Sequence, residues 1–302
     1  MLPLLLACMS PAAPPAPSIS LAPAEAAPAP TLPEPAPAAG WVKLEPGLDF
    51  ATFEAPKRSE LGDSLIRVLR VDPHIRELVL VGGFTLPAGQ GVGSARQWSE
   101  LMGLSAAINA SMFREDYLTS THGMRAGTLI NNPNRGEALA TLVFGPRLPG
   151  AAPAAILDVS CEDIDALARG YENVVSSIRM LSCRGEDVWG QSQRRWSHAA
   201  IGEDSAGNIL FLHARSPWST HDFIENARVV LPELVNLQYA EGGPEAQLYV
   251  HAGGLELEAI GSYETGFYEK DDNRRAWEIP NVVGVKAQSV VTVPADQSIE
   301  AK

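Results

Sequence analysis

The sequence has few cysteines and lacks the short motifs that identify most nucleotide-binding and metal-dependent proteins. Only 3 of its 302 residues are cysteine, too few for a disulfide scaffold or a Cys-rich metal site. It contains no Walker A loop, dinucleotide fingerprint, H-E-x-x-H pair or G-x-S-x-G elbow. The six histidines are scattered, so no ligand spacing predicts a metal site and no cofactor is expected. Convergence of acidic side chains on a divalent ion stays open.

Positive charge is also scarce. The chain carries 23 Lys and Arg residues against 36 Asp and Glu residues, which gives a net charge of −13 and a pI near 4.9. Such a field repels nucleic-acid backbones and anionic lipid surfaces, so we expect no nucleic-acid partner. A small anionic ligand is still compatible with the chain, because a local group of arginines can reverse the sign of the field around itself.

Long apolar runs are missing, since no stretch approaches the ~20 residues of a membrane span. Ten of the 24 prolines lie between residues 11 and 37, mixed with alanine and almost no charge. This composition predicts a disordered or polyproline-like tether over residues 9–40. We therefore expect a single folded domain over residues 41–296 and a flexible tail over residues 297–302.

The first eight residues end in Leu5-Leu6-Ala7-Cys8, which is similar to a bacterial lipobox. The similarity makes Cys8 a candidate for lipidation and predicts a cell-envelope protein, lipid-anchored or secreted, that contacts the membrane only through that anchor. The alternative is a low-complexity N-terminus with an incidental cysteine. In an oxidising envelope Cys161 and Cys183 could form a disulfide that stabilises the fold by roughly 3 kcal/mol; otherwise they are two buried thiols.

The rest of the chain alternates short apolar runs with Gly, Pro and Asn turns. Three helices are expected, one from Ser94 to Gly103, a short one over 163–168, and one that Ser219 opens with a capping-box pattern to Asp222. Strand candidates outnumber helix candidates, and their spacing is too irregular for βαβ units. We therefore predict an α+β class with a central mixed, largely antiparallel sheet covered on both faces. The strand candidates are 65–71, 78–81, 106–110, 128–131, 140–144, 156–159, 174–181, 199–202, 208–213, 237–241, 247–251 and 282–285.

The densest polar group begins with Arg194 and Arg195, which precede His198 at the start of an apolar strand candidate. Arginine forks at the mouth of a buried strand suit bidentate binding of a phosphate or carboxylate. A solvated basic loop beside an acidic body is the alternative.

The next strand candidate ends at Arg215 and Trp218, and a helix follows with His221 in its first turn. A helix N-terminus attracts anions, to which Arg215 and His221 would add donors. Trp218 is equally compatible with core packing and with stacking on a sugar, and Asp222 is favoured as a helix cap alone.

A turn with two acidic residues follows, Glu241-Gly242-Gly243-Pro244-Glu245. Glycine lets a ligand approach the backbone closely, and paired carboxylates on a rigid turn suit general acid/base work on a glycosidic bond. The alternative is a tight turn with two surface acids. Asn109 and Asn281 also stand beside strand candidates, as amide ligands for a substrate or as plain turn residues.

Taken in order, these segments resemble the phosphodiester glycosidase family, in the bacterial branch with a Glu-Gly-Gly-Pro-Glu turn. The family pattern is an Asn-Gly-Gly-Phe-Phe-like element, an Arg-Thr-Ala-Ile-Gly-like strand, an Asp-Gly-Arg-like strand end, an Asp-Gly-Gly-Gly-Ser-like turn and a Pro-Asn-x-x-Gly-Val-like strand. Here the similar segments are 109–113, 198–202, 213–215, 238–245 and 280–285. The resemblance implies an α+β fold built around a central sheet, with a site formed by these five segments.

The resemblance also implies a hydrolase that acts on a glycosyl phosphodiester or a related envelope glycan linkage. Glu241 and Glu245 would then be the acid/base or nucleophile pair, and the substrate a carbohydrate or glycosyl phosphate. A non-catalytic glycan-binding domain, with Trp196 and Trp218 as stacking surfaces, and a structural envelope lipoprotein domain are the alternatives. In the enzymatic reading Arg194, Arg195 and Arg215 hold the anionic group, while Asn109, His198 and Asn281 orient the sugar.

Overall fold

The computed structural model describes Glu34, residues 40–87 and residues 91–288. The expected lipobox with Cys8, nearly all of the tether and the tail over 297–302 lie outside the described residues, so these expectations stay predictions. Within the described ranges, no helix is both long and apolar enough to cross a membrane.

Short strands are the main regular secondary structure of the described chain, and each strand segment predicted from the sequence overlaps one of them. The predicted segment 174–181 is divided at Ile178 into two strands that belong to different sheets. The strands are β1 (Val42–Glu45), β2 (Leu48–Glu54), β3 (Leu65–Val71), β4 (Leu78–Gly82), β5 (Leu104–Asn109), β6 (Met124–Ala126), β7 (Leu129–Asn132), β8 (Ala140–Pro146), β9 (Ala154–Asp158), β10 (Tyr171–Ser177), β11 (Arg179–Leu181), β12 (Trp196–Asp204), β13 (Ile209–Trp218), β14 (Leu234–Gly242), β15 (Gln247–Ala252), β16 (Leu255–Ile260) and β17 (Asn281–Lys286).

The strands form three sheets instead of the one central mixed sheet that the sequence predicted. A seven-stranded sheet has the order β1-β2-β3-β13-β12-β14-β11, and the two five-stranded sheets have the orders β7-β6-β10-β8-β9 and β16-β15-β5-β17-β4. Every strand pairing among the described residues is antiparallel. The α+β expectation holds in the sense of largely antiparallel sheets accompanied by few helices.

The three predicted helices are α1 (Ala95–Met102), α2 (Ile164–Leu167) and α3 (Thr220–Val230). Ser94 caps α1 through a reciprocal pair with Gln97, and Gly103 ends the helix in the left-handed region at φ 63°. Ser219 caps α3, since its hydroxyl accepts from the Asp222 amide at 3.1 Å. The Asp222 carboxylate itself pairs with Lys57 Nζ at 2.6 Å.

The seven-stranded sheet is covered on both faces, as its apolar strands predicted. One face packs against α3 through Phe223 and Ile224. The other face shares a core with both five-stranded sheets, in which Ile201 of β12 belongs to the same cluster as Ile108 and Leu142. Because both faces are covered, β12 and β13 are buried at nearly every position and carry apolar residues through their central parts.

Four strands were not predicted, and they are short or lie at or next to sheet edges. β1 and β16 are edge strands in which charged residues alternate with apolar ones, β6 has only three residues, and β2 joins β1 to the rest of its sheet. β1, β6 and β16 are short or partly exposed, so their sequences carry little of the continuous apolar signal of a central strand. β2 is largely buried, but Asp49 and Thr52 interrupt its apolar residues.

Cys161 and Cys183 form a disulfide, which confirms that expectation. The bridge joins the segment after β9 to the segment after β11. Both segments also meet at the Asp158 carboxylate, which accepts from the Ser160 amide at 2.7 Å and from the Cys183 amide at 3.0 Å. The covalent link and these hydrogen bonds therefore hold the same two loops together.

Candidate functional site

Polar side chains converge at one end of the seven-stranded sheet, where β14 ends in a glycine turn. In the register of the sheet Glu241 lies opposite Ala199 of β12, and Gly242 lies opposite His198. A bulge in the β12–β14 pairing precedes this point. A short 3-10 turn over Gly243–Glu245 then leads into β15, so the turn connects the seven-stranded sheet with a five-stranded one.

The two glycines are needed because other side chains occupy the space beside them. A Cβ atom on Gly242 would overlap the Tyr239 hydroxyl and lie 2.8 Å from Trp196 Cδ1. Gly243 has φ +64°, and a Cβ atom there would lie 2.6 Å from Glu264 Oε2 and 3.6 Å from Glu245 Oε2. The carboxylates of Glu245 and Glu264 therefore converge on one glycine, and the turn tolerates no larger residue without displacement.

Three carboxyl groups at this turn have raised pKa values. Burial is the main cause for Glu241, whose pKa rises to about 8 with a further contribution from Glu245 and Glu264, against the Gly242 amide. Burial and the charge of Glu264 raise the pKa of Glu245 to about 7. Burial also raises the pKa of Glu264, opposed by Arg194. The group can thus hold and release a proton near neutral pH, as general acid/base chemistry requires.

Glu264 was not among the residues predicted from the sequence. It lies outside the five segments on which the family resemblance rests, in the stretch between β16 and β17. Isolated bridges connect its backbone to Trp196 and to Tyr268, which brings it beside the turn. The sequence shows only a glycine turn after it, and such a turn does not distinguish a site acid from a surface acid.

Arg194 is the predicted arginine that the structure places beside the carboxylates. Its Nη2 atom lies 3.9 Å from Glu264 Oε1, and its guanidinium lies 5.7 Å from the centre of the Trp196 ring. The side chain remains 66% exposed, so it is accessible to a ligand as well as to Glu264.

The other two predicted arginines contact other parts of the molecule. Arg195 Nη1 pairs with the exposed Glu60 at 3.3 Å. Arg215 donates to the carbonyl oxygens of Ile260 and Asn273 at 3.1 and 3.0 Å, and its Nε lies 2.7 Å from Asp271 Oδ1. Arg215 therefore braces the loop that carries Glu264, and its guanidinium is occupied by that loop.

Asn109 is buried and holds the strand that follows the turn. Its Nδ2 donates to the Glu245 carbonyl at 2.9 Å, and its Oδ1 accepts from the Gln247 amide at 2.7 Å. Asn281 is also buried, at the start of β17 opposite Gly82, and neither amide atom of its side chain has a hydrogen-bond partner among the described residues. Of the two asparagines, Asn109 positions the backbone of Glu245 through its two hydrogen bonds.

Of the three remaining predicted residues, two are buried in the core and His221 is partly exposed. His198 is fully buried, stacks on Phe223 with ring centres 4.5 Å apart, and has a pKa lowered to about 3 by burial, so it is neutral. Trp218 is 2% exposed, and its indole N–H donates to the Lys57 carbonyl oxygen. The residue is therefore packed in the core, which was one of its two alternatives. His221 Nδ1 lies 2.5 Å from Asp187 Oδ2.

Aromatic rings form the wall behind Glu241. Trp189 stacks on Tyr239 with ring centres 6.3 Å apart and meets Trp196 edge-on at 6.4 Å. Burial, reinforced by Glu241, raises the pKa of Tyr239 well above its ordinary value, so its hydroxyl stays protonated at the turn. As for metals, the described residues contain no group of three or more His, Cys, Asp or Glu side chains arranged to hold an ion.

Three antiparallel sheets and an acidic cluster on a glycine turn define a β-rich protein whose polar centre lies at a sheet end. The model of the phosphodiester glycosidase family matches residues 102–286, more than half of the chain. The chain therefore belongs to the phosphodiester glycosidase family. The matched range includes Glu241, Glu245 and Glu264.

Solved structures agree with this assignment at the level of the fold. One is the catalytic domain of zebrafish N-acetylglucosamine-1-phosphodiester alpha-N-acetylglucosaminidase, auto-inhibited by its pro-peptide, with a TM-score of 0.56 and 13% identity over 81% of this chain and 85% of that chain. A second is a hypothetical protein from Synechocystis, with a TM-score of 0.50 and 12% identity over 83% of this chain and 64% of that one. No curated protein sequence matches the chain.

Proposed function

We propose that this protein is a hydrolase that cleaves a glycosyl phosphodiester or a related envelope glycan linkage. The observation that carries the proposal is the convergence of Glu241, Glu245 and Glu264 at the Gly242–Gly243 turn with raised pKa values. Family membership and the fold of the zebrafish enzyme, whose name describes cleavage of an N-acetylglucosamine phosphodiester, support this substrate class.

We assign different roles to the two predicted acids, whose pKa values are both raised into the neutral range. Glu241, with a pKa of about 8, is protonated at neutral pH and donates its proton to the leaving phosphate oxygen as the glycosidic C–O bond breaks. Glu245, with a pKa of about 7, is ionised in a large fraction of molecules and acts at the anomeric carbon, as a base towards water or as a nucleophile. Water supplies the hydroxyl group of the released sugar in either case.

Electrostatic support for the leaving group comes mainly from Arg194, because its guanidinium is exposed and adjacent to Glu264. Arg195 can join it once released from the exposed Glu60, since surface pairs of this kind are weak. We assign Arg215 and Asn109 to positioning, since they hold the Glu264 loop and the Glu245 backbone. Asn281 keeps its proposed role towards the sugar, because its buried amide has no partner among the described residues.

His198, Trp218 and His221 have less support as substrate ligands than they had from the sequence. The first two are buried in the core cluster or against it, and the third pairs with Asp187. Their proposed contribution is to hold the aromatic wall behind the turn, where His198 lies 5.8 Å from Trp196 between ring centres.

The test is release of sugar from an α-linked N-acetylglucosamine 1-phosphodiester by the wild-type chain, by Glu241→Gln and by Asp165→Asn. Asp165 is an exposed carboxylate of α2 and serves as the matched control. We expect Glu241→Gln to lower kcat by about 10²- to 10⁴-fold, as removal of a general acid does, with Asp165→Asn unchanged. Equal rates for wild type and Glu241→Gln would remove Glu241 from the mechanism. Sugar binding without turnover would favour the glycan-binding alternative.

The proposed location is the cell envelope, with the protein lipid-anchored at Cys8 or secreted. The disulfide between Cys161 and Cys183 supports an oxidising compartment. Metabolic labelling with a palmitate analogue, comparing the wild-type chain with Cys8→Ser, tests the anchor.

A further inference from the structure

The hairpin that carries Glu264 ends in an exposed aromatic ring. Glu264 and Tyr268 pair through two backbone hydrogen bonds of 2.9 Å, one in each direction. Gly266 lies between them with φ +84°, which lets the chain reverse within three residues. Phe267 follows this glycine and is 59% exposed, more than any other aromatic residue among the exposed hydrophobic side chains of the described ranges.

The hairpin is fixed on the seven-stranded sheet. The Thr265 amide donates to the Arg195 carbonyl at 3.0 Å, and the Arg195 amide donates to the Thr265 hydroxyl at 3.0 Å. The Gly266 amide donates to the Glu269 carboxylate at 2.7 Å. These contacts hold the backbone before Phe267 in place, so the Cα–Cβ direction of this residue is set before any ligand arrives.

Trp277 braces the exposed ring from the other side. Its ring lies 6.0 Å from that of Phe267 at 76° and 6.0 Å from that of Tyr268 at 87°, the edge-on geometry that aromatic pairs favour. The Trp277 carbonyl accepts from Gln247 Nε2 at 2.7 Å, and Gln247 follows Glu245 by two residues. The three rings, here called the aromatic platform, are thus tied to both Glu264 and Glu245.

Other exposed apolar side chains of the described residues do not share this setting. Leu148 and Val229 are 66% and 65% exposed, but they are single aliphatic side chains of the kind that most protein surfaces carry. Phe267 combines exposure and rigid support with a place on the hairpin that carries Glu264. The free energy falls when an apolar surface covers a large aromatic ring that is exposed to water.

A pyranose ring fits that description, because one of its faces presents mainly C–H groups while its hydroxyls point outward. Glu264 is bridged to Tyr268 of the platform, and Arg194 Nη2 lies 3.9 Å from Glu264 Oε1, so a carboxylate on the same hairpin and a neighbouring guanidinium can accept from and donate to those hydroxyls. We propose that Phe267, backed by Trp277 and Tyr268, is the sugar-stacking subsite of this protein. The inference rests on the proposed function, since the ring that it holds is that of the glycosyl substrate beside Glu264.

The test is a calorimetric titration of the full chain with three probes: N-acetylglucosamine α-1-phosphate, N-acetylglucosamine and inorganic phosphate. Saturation-transfer NMR is recorded with the two sugar probes, which carry C–H protons. The variants are Phe267→Ala, Phe267→Tyr and the control Leu148→Ala. We expect saturation of the pyranose C–H protons and a Kd for both sugar probes that rises about five- to tenfold in Phe267→Ala. Phe267→Tyr keeps the ring and should stay within about twofold of wild type, and Leu148→Ala should equal it. Inorganic phosphate should bind wild type and Phe267→Ala alike.

The subsite and the hydrolase proposal fail in different ways. An unchanged Kd for both sugar probes in Phe267→Ala, with thermal unfolding equal to wild type, would overturn the subsite, even if hydrolysis were intact. Sugar binding that depends on Phe267 without any hydrolysis would uphold the subsite and overturn the hydrolase proposal. With an active enzyme, Phe267→Ala should raise KM and leave the acid limb of the kcat–pH profile unchanged, whereas Glu241→Gln should lower kcat.

Discussion

Asp158 and Glu241 are both poorly exposed carboxylates at the C-terminal ends of strands, yet their surroundings shift the two pKa values in opposite directions. Asp158 accepts from two backbone amides and from Arg179 Nη1 at 2.7 Å. Although burial opposes ionisation, these donors hold the pKa of Asp158 below its ordinary value. The charged form is therefore the one that the fold stabilises at this position.

Glu241 has one amide donor, from Gly242 at 3.0 Å, and two carboxylates as neighbours. Burial and these like charges raise its pKa to about 8. Surroundings with few donors destabilise the charged form of a carboxylate. The protonated form then persists at neutral pH and can act as an acid. The difference distinguishes a carboxylate that joins loops from one that is available for proton transfer.

The largest effect is expected from Asp158→Ala. The substitution leaves Arg179 without its partner in a mostly buried setting and frees two backbone amides, which should lower the free energy of unfolding by about 3 to 5 kcal/mol. Urea denaturation measures the change. Asp165→Ala, which removes the partner of Arg135 at an exposed pair, should change it by less than about 1 kcal/mol. Equal effects of the two substitutions would contradict a structural role for Asp158.

A smaller effect with the opposite sign is expected from Glu241→Gln. Because the folded-state pKa of Glu241 is raised from 4.5 to about 8, its contribution to stability is complete below pH 4.5 and is lost as the pH rises towards 8. The variant lacks this loss, so its unfolding free energy relative to wild type should rise steadily between pH 4.5 and pH 8. Denaturation curves from pH 4.5 to 8 measure it, and a constant difference across that range would argue against the raised pKa.

Lowering the pH should remove the contribution of Asp158 to stability, whereas raising the pH removes that of Glu241. Since the pKa of Asp158 is lowered, its contribution is present above the ordinary value of 3.8 and is lost as the pH falls through the folded pKa. The same denaturation series, extended below pH 4, should show wild type losing stability while Asp158→Ala shows a smaller loss.

The smallest difference between two compared variants is expected at the glycine turn. Gly243→Ala adds strain at φ +64° and a contact with Glu264, whereas Gly207→Ala meets nothing within 4 Å at φ +82°. Both should be destabilising by about 1 to 2 kcal/mol from the backbone, and Gly243→Ala by about 1 kcal/mol more, with lower activity. Thermal unfolding and hydrolysis assays of the two variants provide the measurement. Equal stability and unchanged activity would show that Glu264 adjusts without consequence.

Much of the fold could be predicted because the relevant information is local. Ser94 and Ser219 each start a helix through hydrogen bonds within three residues, and the hairpin between β12 and β13 closes through Asp204 and Gly207. Division of the strands among three sheets could not be predicted, since it depends on pairings between distant residues such as Val282 with Asn109.

The site was predictable in part for the same reason. Glu241 and Glu245 flank a turn in the sequence, so their proximity follows from the chain itself. Glu264 reaches the turn because Arg195, Arg215 and Tyr268 hold its loop there, and no local sequence pattern predicts those contacts. Trp218 and Arg215 could not be assigned from residue type, since a tryptophan or an arginine serves equally well in a core, in a loop brace or on a ligand.

The sequence by itself determined the acidic character of the chain, its three helices, most of its strands and the paired acids of the turn, because composition, capping and periodicity act over a few residues. Only the tertiary structure decided which charges lose their donors. Glu241, Glu245 and Glu264 acquire raised pKa values because folding buries them together, and Asp158 acquires a lowered one because folding adds donors from β11 and the loop after it to the local Ser160 amide. The energy of a buried charge depends on its neighbours in space, and these are fixed by the packing of the sheets.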